Sequence, residues 1–189
     1  MRAKSLRWCV MISGRGSNLQ SILDSFDPLN VVLVVSNQPG AMGKIKAKRY
    51  GISVLDYPVQ KSNWPELLQV LQQRKIEALF LAGFMRLVPQ IVLDAFENRV
   101  VNIHPSLLPQ YPGRGSFEKA LEDGVQTGAT IHFVDSGVDT GKVIRQKKLS
   151  RCFTLAEKDV AQRSLTMAEK HLTVSTLRTH WMASPARCV

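Results

Sequence analysis

The sequence has 189 residues, of which 44% are hydrophobic and 21% are charged, which is typical of one globular domain with a full core. It has no apolar run near the roughly 20 residues that a membrane helix needs and no cleavable leader pattern, so we expect a cytoplasmic protein without a membrane segment. The formal net charge of +10 would suit nucleic acid, but the basic residues are not interleaved with aromatic ones and equally suit substrates that carry phosphate or carboxylate groups.

The first half of the chain alternates short apolar runs with stretches of helical periodicity. The runs are too short for helices and predict buried strands; they are Trp8 to Ile12, Val31 to Val35 and Ala78 to Ala82. One apolar stripe predicts a helix that begins near Ser17; it consists of Leu19, Ile22, Leu23 and Phe26. A second helix is predicted over Pro65 to Leu71, with the proline in its first turn.

The second half continues this alternation and ends in helix. Helices are predicted over Gln90 to Phe96 and Phe117 to Asp123, and strands over Arg99 to Ile103, Ala129 to Val134 and Val143 to Gln146. Thr154 and Glu157 form a capping-box pattern at the start of a last helix that extends to Leu177. Together these elements predict a doubly wound, Rossmann-like α/β fold, with a mainly parallel sheet and helices on both faces.

A glycine-rich turn joins the first predicted strand to the first predicted helix. Its residues are Gly14, Arg15, Gly16, Ser17 and Asn18, and its backbone N–H groups can converge on one anion. The turn lacks the Gly-Lys-Ser/Thr of a P-loop and the third glycine of a dinucleotide site. A single phosphate monoester is therefore the predicted ligand, although glycines also occur in such turns for steric reasons alone.

Two polar side chains end the strand predicted over Arg99 to Ile103. Asn102 and His104 are two residues apart, so strand alternation sends both to one face, at the sheet edge where ligands bind in this fold. An amide N–H and an imidazole there can stabilise the oxyanion that forms when a carbonyl is attacked. A proline-rich run, PSLLPQYPG, predicts a stiff loop over this site.

A carboxylate is predicted to join this pair. Asp139 lies in a turn-rich segment, residues 135–141, that follows a later strand and can bring its side chain beside His104. We expect Asp139 to raise the pKa of His104. His132 lies inside the preceding apolar strand and is interpreted as a hydrogen-bonded core residue rather than as a second catalytic base.

Four segments, SGRGSNLQ, LAGFMRLV, NIHPSLLPQYPG and DTGKVI, together resemble the glycinamide ribonucleotide formyltransferases of purine biosynthesis. The resemblance covers roughly Cys9 to Gln146. It implies an enzyme that transfers the formyl group of 10-formyltetrahydrofolate to the amine of glycinamide ribonucleotide, without a metal and with small molecules as partners rather than nucleic acid or membranes. We expect one formyltransferase domain over residues 1–189, with a phosphate-binding half (1–100), a catalytic and folate-binding half (101–150) and a C-terminal helical tail (151–189).

The resemblance assigns roles by position. It makes Asn102 and His104 the residues that stabilise the oxyanion, and Asp139 the carboxylate that supports His104 and helps to move protons. Residues 14–18 would bind the substrate phosphate. The folate would be bound by two segments: Met85, Arg86, Leu87 and Val88 line its pocket, and Asp135, Ser136, Gly137 and Val138 close over the pterin. Glu169 is a weaker match, as a contact to the ribose or the amine.

Two departures from the family pattern accompany these matches. Residues 114–117 read Arg-Gly-Ser-Phe, one residue shorter than the family form, and residues 169–174 match its C-terminal pattern only in part. The alternatives are a formyltetrahydrofolate deformylase, a formyltransferase acting on aminoacyl-tRNA or a sugar amine, and a non-catalytic RNA-binding protein. The deformylase and the tRNA formyltransferase are expected to need an additional domain, for which this length leaves no room.

Overall fold

The structure is a computed structural model that describes residues 6–25, 30–58, 60 and 63–181. Its strands are β1 (Arg7–Ile12), β2 (Asn30–Ser36), β3 (Ser53–Asp56), β4 (Ala78–Leu81), β5 (Val100–His104), β6 (Gly128–Phe133) and β7 (Val143–Lys148). Its helices are α1 (Ser17–Leu23), α2 (Gly43–Arg49), α3 (Trp64–Gln73), α4 (Gln90–Ala95), α5 (Ser116–Glu122) and α6 (Lys158–Trp181), and a 3-10 turn over Leu155–Glu157 precedes α6.

The seven strands form one sheet in the order β3-β2-β1-β4-β5-β6-β7. Strands β1 to β5 pair in parallel, whereas β6 and β7 extend the sheet antiparallel. The chain moves outward from β1 in one direction to β3 and then returns to place β4 on the other side of β1. The neighbouring strands β1 and β4 therefore mark the switch point, where the loops at the carboxyl ends diverge and leave a crevice.

Each face of the sheet is covered by helices. Alternate residues of β1 face opposite ways, so Trp8, Val10 and Ile12 belong to one apolar cluster and Cys9 and Met11 to the other. The first cluster receives residues of α1, α2, α5 and α6, and the second receives residues of α3 and α4. The predicted doubly wound α/β fold is thereby confirmed. In the described part of the chain, none of the helices has the length and apolarity that a membrane crossing requires.

The structure also contains two elements that the sequence patterns did not predict. Helix α2 carries Lys44, Lys46, Lys48 and Arg49, which hide its apolar stripe, and β3 is a four-residue strand without a buried residue. The other predicted elements are present, with ends that shift by a few residues. Thr154 and Glu157 form the predicted capping box, and Phe26, predicted as part of α1, lies outside the described residues.

Candidate active site

A pocket of about 950 Å³ opens at the carboxyl ends of the parallel strands. The loops after β1, β4, β5 and β6 supply its walls, and one side chain of α6 reaches it. All the residues that the sequence predicted for catalysis, phosphate binding and folate binding line this one pocket. The fold therefore brings together segments that are far apart in the chain.

The turn over residues 14–18 forms one end of the pocket. Gly16 has a left-handed backbone (φ 66°) at the start of α1, a conformation that favours glycine. A Cβ atom at Gly16 would lie 2.7 Å from the Cα of Gly43, the first residue of α2. The Gly43 N–H also donates to the Gly14 carbonyl oxygen at 3.1 Å. The absence of a side chain at Gly16 thus lets α2 pack directly against the turn.

A carboxylate from α6 reaches this end of the pocket. The Asn18 amide Nδ2 lies 3.4 Å from Oε2 of Glu169, and the Asn18 Oδ1 has no hydrogen-bond partner among the described residues although it is buried. Burial raises the pKa of Glu169 to about 7, against the opposing effect of the Asn18 hydrogen bond. Glu169 can therefore exchange a proton near neutral pH next to the predicted phosphate site.

Asn102, His104 and Asp139 meet at the carboxyl end of β5. Nδ1 of His104 lies 3.2 Å from Oδ2 of Asp139, and Nδ2 of Asn102 lies 3.3 Å from Oδ1 of the same carboxylate. The Gly113 N–H donates to Oδ2 at 2.9 Å. Burial raises the pKa of Asp139, but the nearby His132, the Gly113 N–H and His104 outweigh this effect and lower that pKa to about 2. Asp139 is therefore ionised at neutral pH.

The proline-rich loop after β5 contacts His104 directly. Nε2 of His104 lies 3.0 Å from the Tyr111 carbonyl oxygen. The buried Ser106 hydroxyl donates to the Gln110 carbonyl at 2.7 Å and lies 3.2 Å from the Tyr111 carbonyl oxygen. Both ring nitrogens of His104 thus face acceptors on the protein.

Asp139 raises the pKa of His104, as expected, but the net shift of this pKa is downward. Burial of the ring lowers this pKa, and the Tyr111 carbonyl and the Asp139 carboxylate, which act in the opposite direction, only partly offset it. Burial disfavours the charged imidazolium because it removes the water that would solvate it. The lowered pKa favours the uncharged form of His104, and that form can accept a proton.

His132 belongs to the same cluster, which the sequence interpretation missed. The antiparallel register sets His132 of β6 opposite Asn102 of β5, and its Nε2 lies 3.2 Å from the Asn102 Nδ2 and 3.5 Å from Asp139 Oδ1. Its Nδ1 lies 2.7 Å from the Phe133 carbonyl oxygen. That oxygen can only accept, so Nδ1 of His132 carries a proton. His132 is a hydrogen-bonded core residue, as expected, and also orients Asn102.

The predicted folate segments form two walls of the pocket. Met85, Arg86, Leu87 and Val88 follow β4, and Asp135, Ser136, Gly137 and Val138 precede Asp139. Met85, Leu87 and Val138 are 54%, 69% and 49% exposed, so apolar side chains are open to a ligand on both walls. Asp135 shapes its own turn, because its Oδ1 accepts from the Gly137 N–H and the Thr140 hydroxyl.

The segment that departs from the family pattern also faces the pocket. Nη2 of Arg114 lies 3.4 Å from the Met85 carbonyl oxygen. Gly115 and the first turn of α5 also line the pocket. None of the ion pairs formed by described residues involves Arg15, Arg86 or Arg114. All three line the pocket, so their charge is available to an anionic ligand.

Comparisons with known proteins are consistent with this site. A sequence model of the family described as formyl transferase matches residues 6–177. Over 152 residues, the chain is 42% identical to the trifunctional purine biosynthetic protein adenosine-3 of Drosophila melanogaster; this match covers 74% of the chain and 11% of that protein. It is also 34% identical over 152 residues to the phosphoribosylglycinamide formyltransferase of Haemophilus influenzae, with 74% of the chain and 71% of that protein covered. The chain thus spans only about a tenth of the trifunctional relative.

Solved structures show the same likeness. A glycinamide ribonucleotide transformylase 1 from Geobacillus kaustophilus superimposes with a TM-score of 0.86 and 35% identity, covering 94% of this chain and all of that one. A phosphoribosylglycinamide formyltransferase from Anaplasma phagocytophilum superimposes with a TM-score of 0.87 and 29% identity, covering 98% of this chain and 91% of that one. The similarity therefore extends over nearly the whole chain.

Proposed function

Because the chain belongs to the phosphoribosylglycinamide formyltransferase family of formyl transferases, we propose that it transfers the formyl group of 10-formyltetrahydrofolate to the amine of glycinamide ribonucleotide, in purine biosynthesis. The observation that carries this proposal is the position of the Asn102, His104 and Asp139 cluster. It lies in the same pocket as the turn over residues 14–18 and the apolar walls at 85–88 and 135–138.

The end of the pocket at the turn is where the phosphate of the ribonucleotide would bind. The backbone N–H groups of Gly14, Arg15, Gly16, Ser17 and Asn18 can donate to phosphate oxygens. Arg15, which forms no ion pair with another described residue, adds a positive charge at this end. Glu169 lies next to Asn18, in reach of a group attached to that phosphate. It would accept hydrogen bonds from the ribose hydroxyls or the amine.

The folate co-substrate would occupy the other end of the pocket. Its flat pterin fits between apolar side chains, and the exposed Met85, Leu87 and Val138 offer them on two walls. The carboxylates of the folate tail are complementary to Arg86, which has no ion-pair partner among the described residues. This arrangement would hold the formyl group beside Asn102 and His104. The proposed reaction needs no metal.

The reaction begins when the substrate amine attacks the formyl carbon and its electron pair forms the new C–N bond. The carbonyl electrons move to oxygen, where the Asn102 amide N–H stabilises the oxyanion. His104 in its uncharged form accepts a proton from the amine, and as an imidazolium it also stabilises the oxyanion. Asp139 lies 3.2 Å from its Nδ1 and stabilises the imidazolium.

Collapse of the tetrahedral intermediate completes the transfer. The oxyanion re-forms the carbonyl, the bond from the formyl carbon to folate N10 breaks, and its electron pair remains on N10. The proton held by His104 passes to N10 and yields tetrahydrofolate. Holding the two substrates in one pocket lowers the barrier by bringing the amine and the formyl carbon together in the reactive orientation.

An assay with purified protein, glycinamide ribonucleotide and 10-formyltetrahydrofolate tests the proposal. We expect formylated ribonucleotide and tetrahydrofolate in equal amounts, and a loss of about 100-fold or more in kcat for His104→Ala. Absence of formylated product would refute the acceptor, and formate release without any amine would indicate hydrolysis instead. Normal turnover by His104→Ala would refute the mechanism while leaving the activity in place.

A further inference from the structure

The Ser13 hydroxyl is hydrogen-bonded to groups on both sides of its strand. Ser13 follows β1, and its Oγ donates to Oδ1 of Asn37, which follows β2, at 2.6 Å. The same oxygen accepts from the backbone N–H of Met85, in the loop after β4, at 2.9 Å. One hydroxyl thus connects the carboxyl ends of three neighbouring strands.

The bond to Met85 crosses the switch point of the sheet. Strands β1 and β4 are neighbours, with Met11 paired to Leu81, but the segments that follow them diverge. One becomes the turn over residues 14–18, and the other becomes the wall over residues 85–88. Ser13 is the residue immediately before the turn, and Met85 is the first residue of the wall, so their bond sets the distance between the proposed phosphate and folate sites.

Asn37 fixes the direction in which the Ser13 hydroxyl points. A serine hydroxyl has one hydrogen and rotates toward the best acceptor. The Asn37 side chain is buried, and its Oδ1 takes that hydrogen, which leaves the lone pairs of Ser13 Oγ for the Met85 N–H. Neither Ser13 nor Asn37 lines the pocket, so their effect on a ligand is exerted through Met85.

We propose that Ser13, oriented by Asn37, is a positioning residue that holds the Met85–Val88 wall in place for the folate. This inference rests on the proposed function, because it assigns that wall to the folate. Met85 is held from the other side as well, since its carbonyl oxygen accepts from Arg114. Loss of the Ser13 hydroxyl would free the N–H end of this wall without altering any group that faces the ligand.

The test compares Ser13→Val with Ser13→Thr, which are nearly equal in shape and differ in the hydroxyl. Isothermal titration calorimetry measures the affinity of each variant for tetrahydrofolate and, separately, for glycinamide ribonucleotide. We expect Ser13→Val to bind tetrahydrofolate about 3- to 10-fold more weakly than Ser13→Thr, as the loss of one hydrogen bond predicts. We expect the affinities of the two variants for the ribonucleotide to agree within about 2-fold.

Equal tetrahydrofolate affinities in the two variants, or an equal loss for both ligands, would overturn the proposal. If Ser13→Val does not fold, Asn37→Ala takes its place, and the same selective loss relative to the wild-type protein is expected. The formylation assay separates this inference from the proposed function. Wild-type protein that makes no formylated ribonucleotide contradicts the proposed function, whereas active wild-type protein with no selective loss in the variants contradicts only the role of Ser13.

Discussion

Oδ2 of Asp139 lies 3.2 Å from Nδ1 of His104, although the two residues belong to different elements and Asp139 is outside the regular strands. The other carboxylate oxygen faces Asn102 at 3.3 Å. A single loop residue therefore orients both side chains at the end of β5, and its charge is matched to the imidazolium that forms during the proposed reaction.

Replacement of this carboxylate by an amide should remove that charge with little change in shape. We expect Asp139→Asn to lower kcat by about 100-fold or more, because the imidazolium loses its counter-charge and proton transfer slows. Steady-state kinetics under saturating substrates measures the effect. Asp94→Asn on α4, where Asp94 accepts a hydrogen bond from Gln90 of the same helix, is the control and should keep kcat within about 2-fold. Comparable kcat values in the two variants would contradict the role of Asp139.

The close approach of Gly16 to Gly43 predicts that alanine destabilises the protein more at Gly16 than at Gly14. Gly16→Ala would place a Cβ 2.7 Å from the Gly43 Cα at a positive φ, whereas a Cβ at Gly14 meets no atom within 4 Å. We expect Gly16→Ala to destabilise the protein by about 1–3 kcal/mol, which lowers Tm by roughly 3 to 10 °C. Gly14→Ala should leave Tm nearly unchanged. Equal Tm values in a calorimetric melt would show that the turn and α2 are not packed as described.

Glu169 predicts a specific dependence of stability on pH. Burial raises its pKa from the ordinary 4.5 to about 7 in the folded protein, so the folded state binds the proton more tightly than the unfolded state. The resulting stability is complete below about pH 4.5 and is lost as the pH rises through about 7. The loss is on the order of 1 to 3 kcal/mol.

Glutamine at position 169 has the shape of glutamate but does not titrate, so the variant should not lose this stability as the pH rises through about 7. We expect Glu169→Gln to be more stable relative to the wild-type protein at pH 8 than at pH 5, as measured by thermal melts of both proteins at the two pH values. The comparison cancels the titration of other groups, which are common to both proteins. A Tm difference that is the same at both pH values would mean that Glu169 does not titrate in this range.

Arg114 is expected to contribute to folate binding from the segment that departs from the family pattern. Its guanidinium contacts the Met85 carbonyl oxygen and is free of ion pairs among the described residues, so it can attract the folate carboxylates. We predict that Arg114→Ala raises the KM for 10-formyltetrahydrofolate about 3- to 10-fold, with kcat within about 3-fold. Arg114→Lys, which keeps the charge, should show a smaller rise. A change in kcat alone would argue against this assignment.

The parts of the site that were predictable from sequence are those with strong local patterns. The turn before α1 follows an apolar strand, and Asn102 and His104 lie at the carboxyl end of another. In a parallel sheet the carboxyl ends of the strands lie at one edge. Pairing between β5 and the antiparallel β6 has no such local pattern, so the placement of His132 opposite Asn102 was not predictable. The lowered pKa of His104 was missed for a related reason, since it depends on burial by a loop whose packing is not visible in a sequence.

The other features that were not predicted are elements with weak sequence patterns and a contact between distant parts of the chain. Helix α2 and strand β3 lack the buried stripes that reveal secondary structure, because lysines dominate the first and the second is only four residues long. Glu169 reaches the pocket only because α6 packs against α1 and β6, an interaction that its own sequence does not specify.

Asn18 and Glu169 are separated by 151 positions in the chain, and this span imposes an order on biogenesis. During translation the amino-terminal strands emerge first and can begin to fold, but the acidic wall beside the turn is missing until α6 has left the ribosome. A nascent polypeptide can thus possess an assembled glycine turn while it still lacks the carboxylate that we propose to contact the substrate ribose.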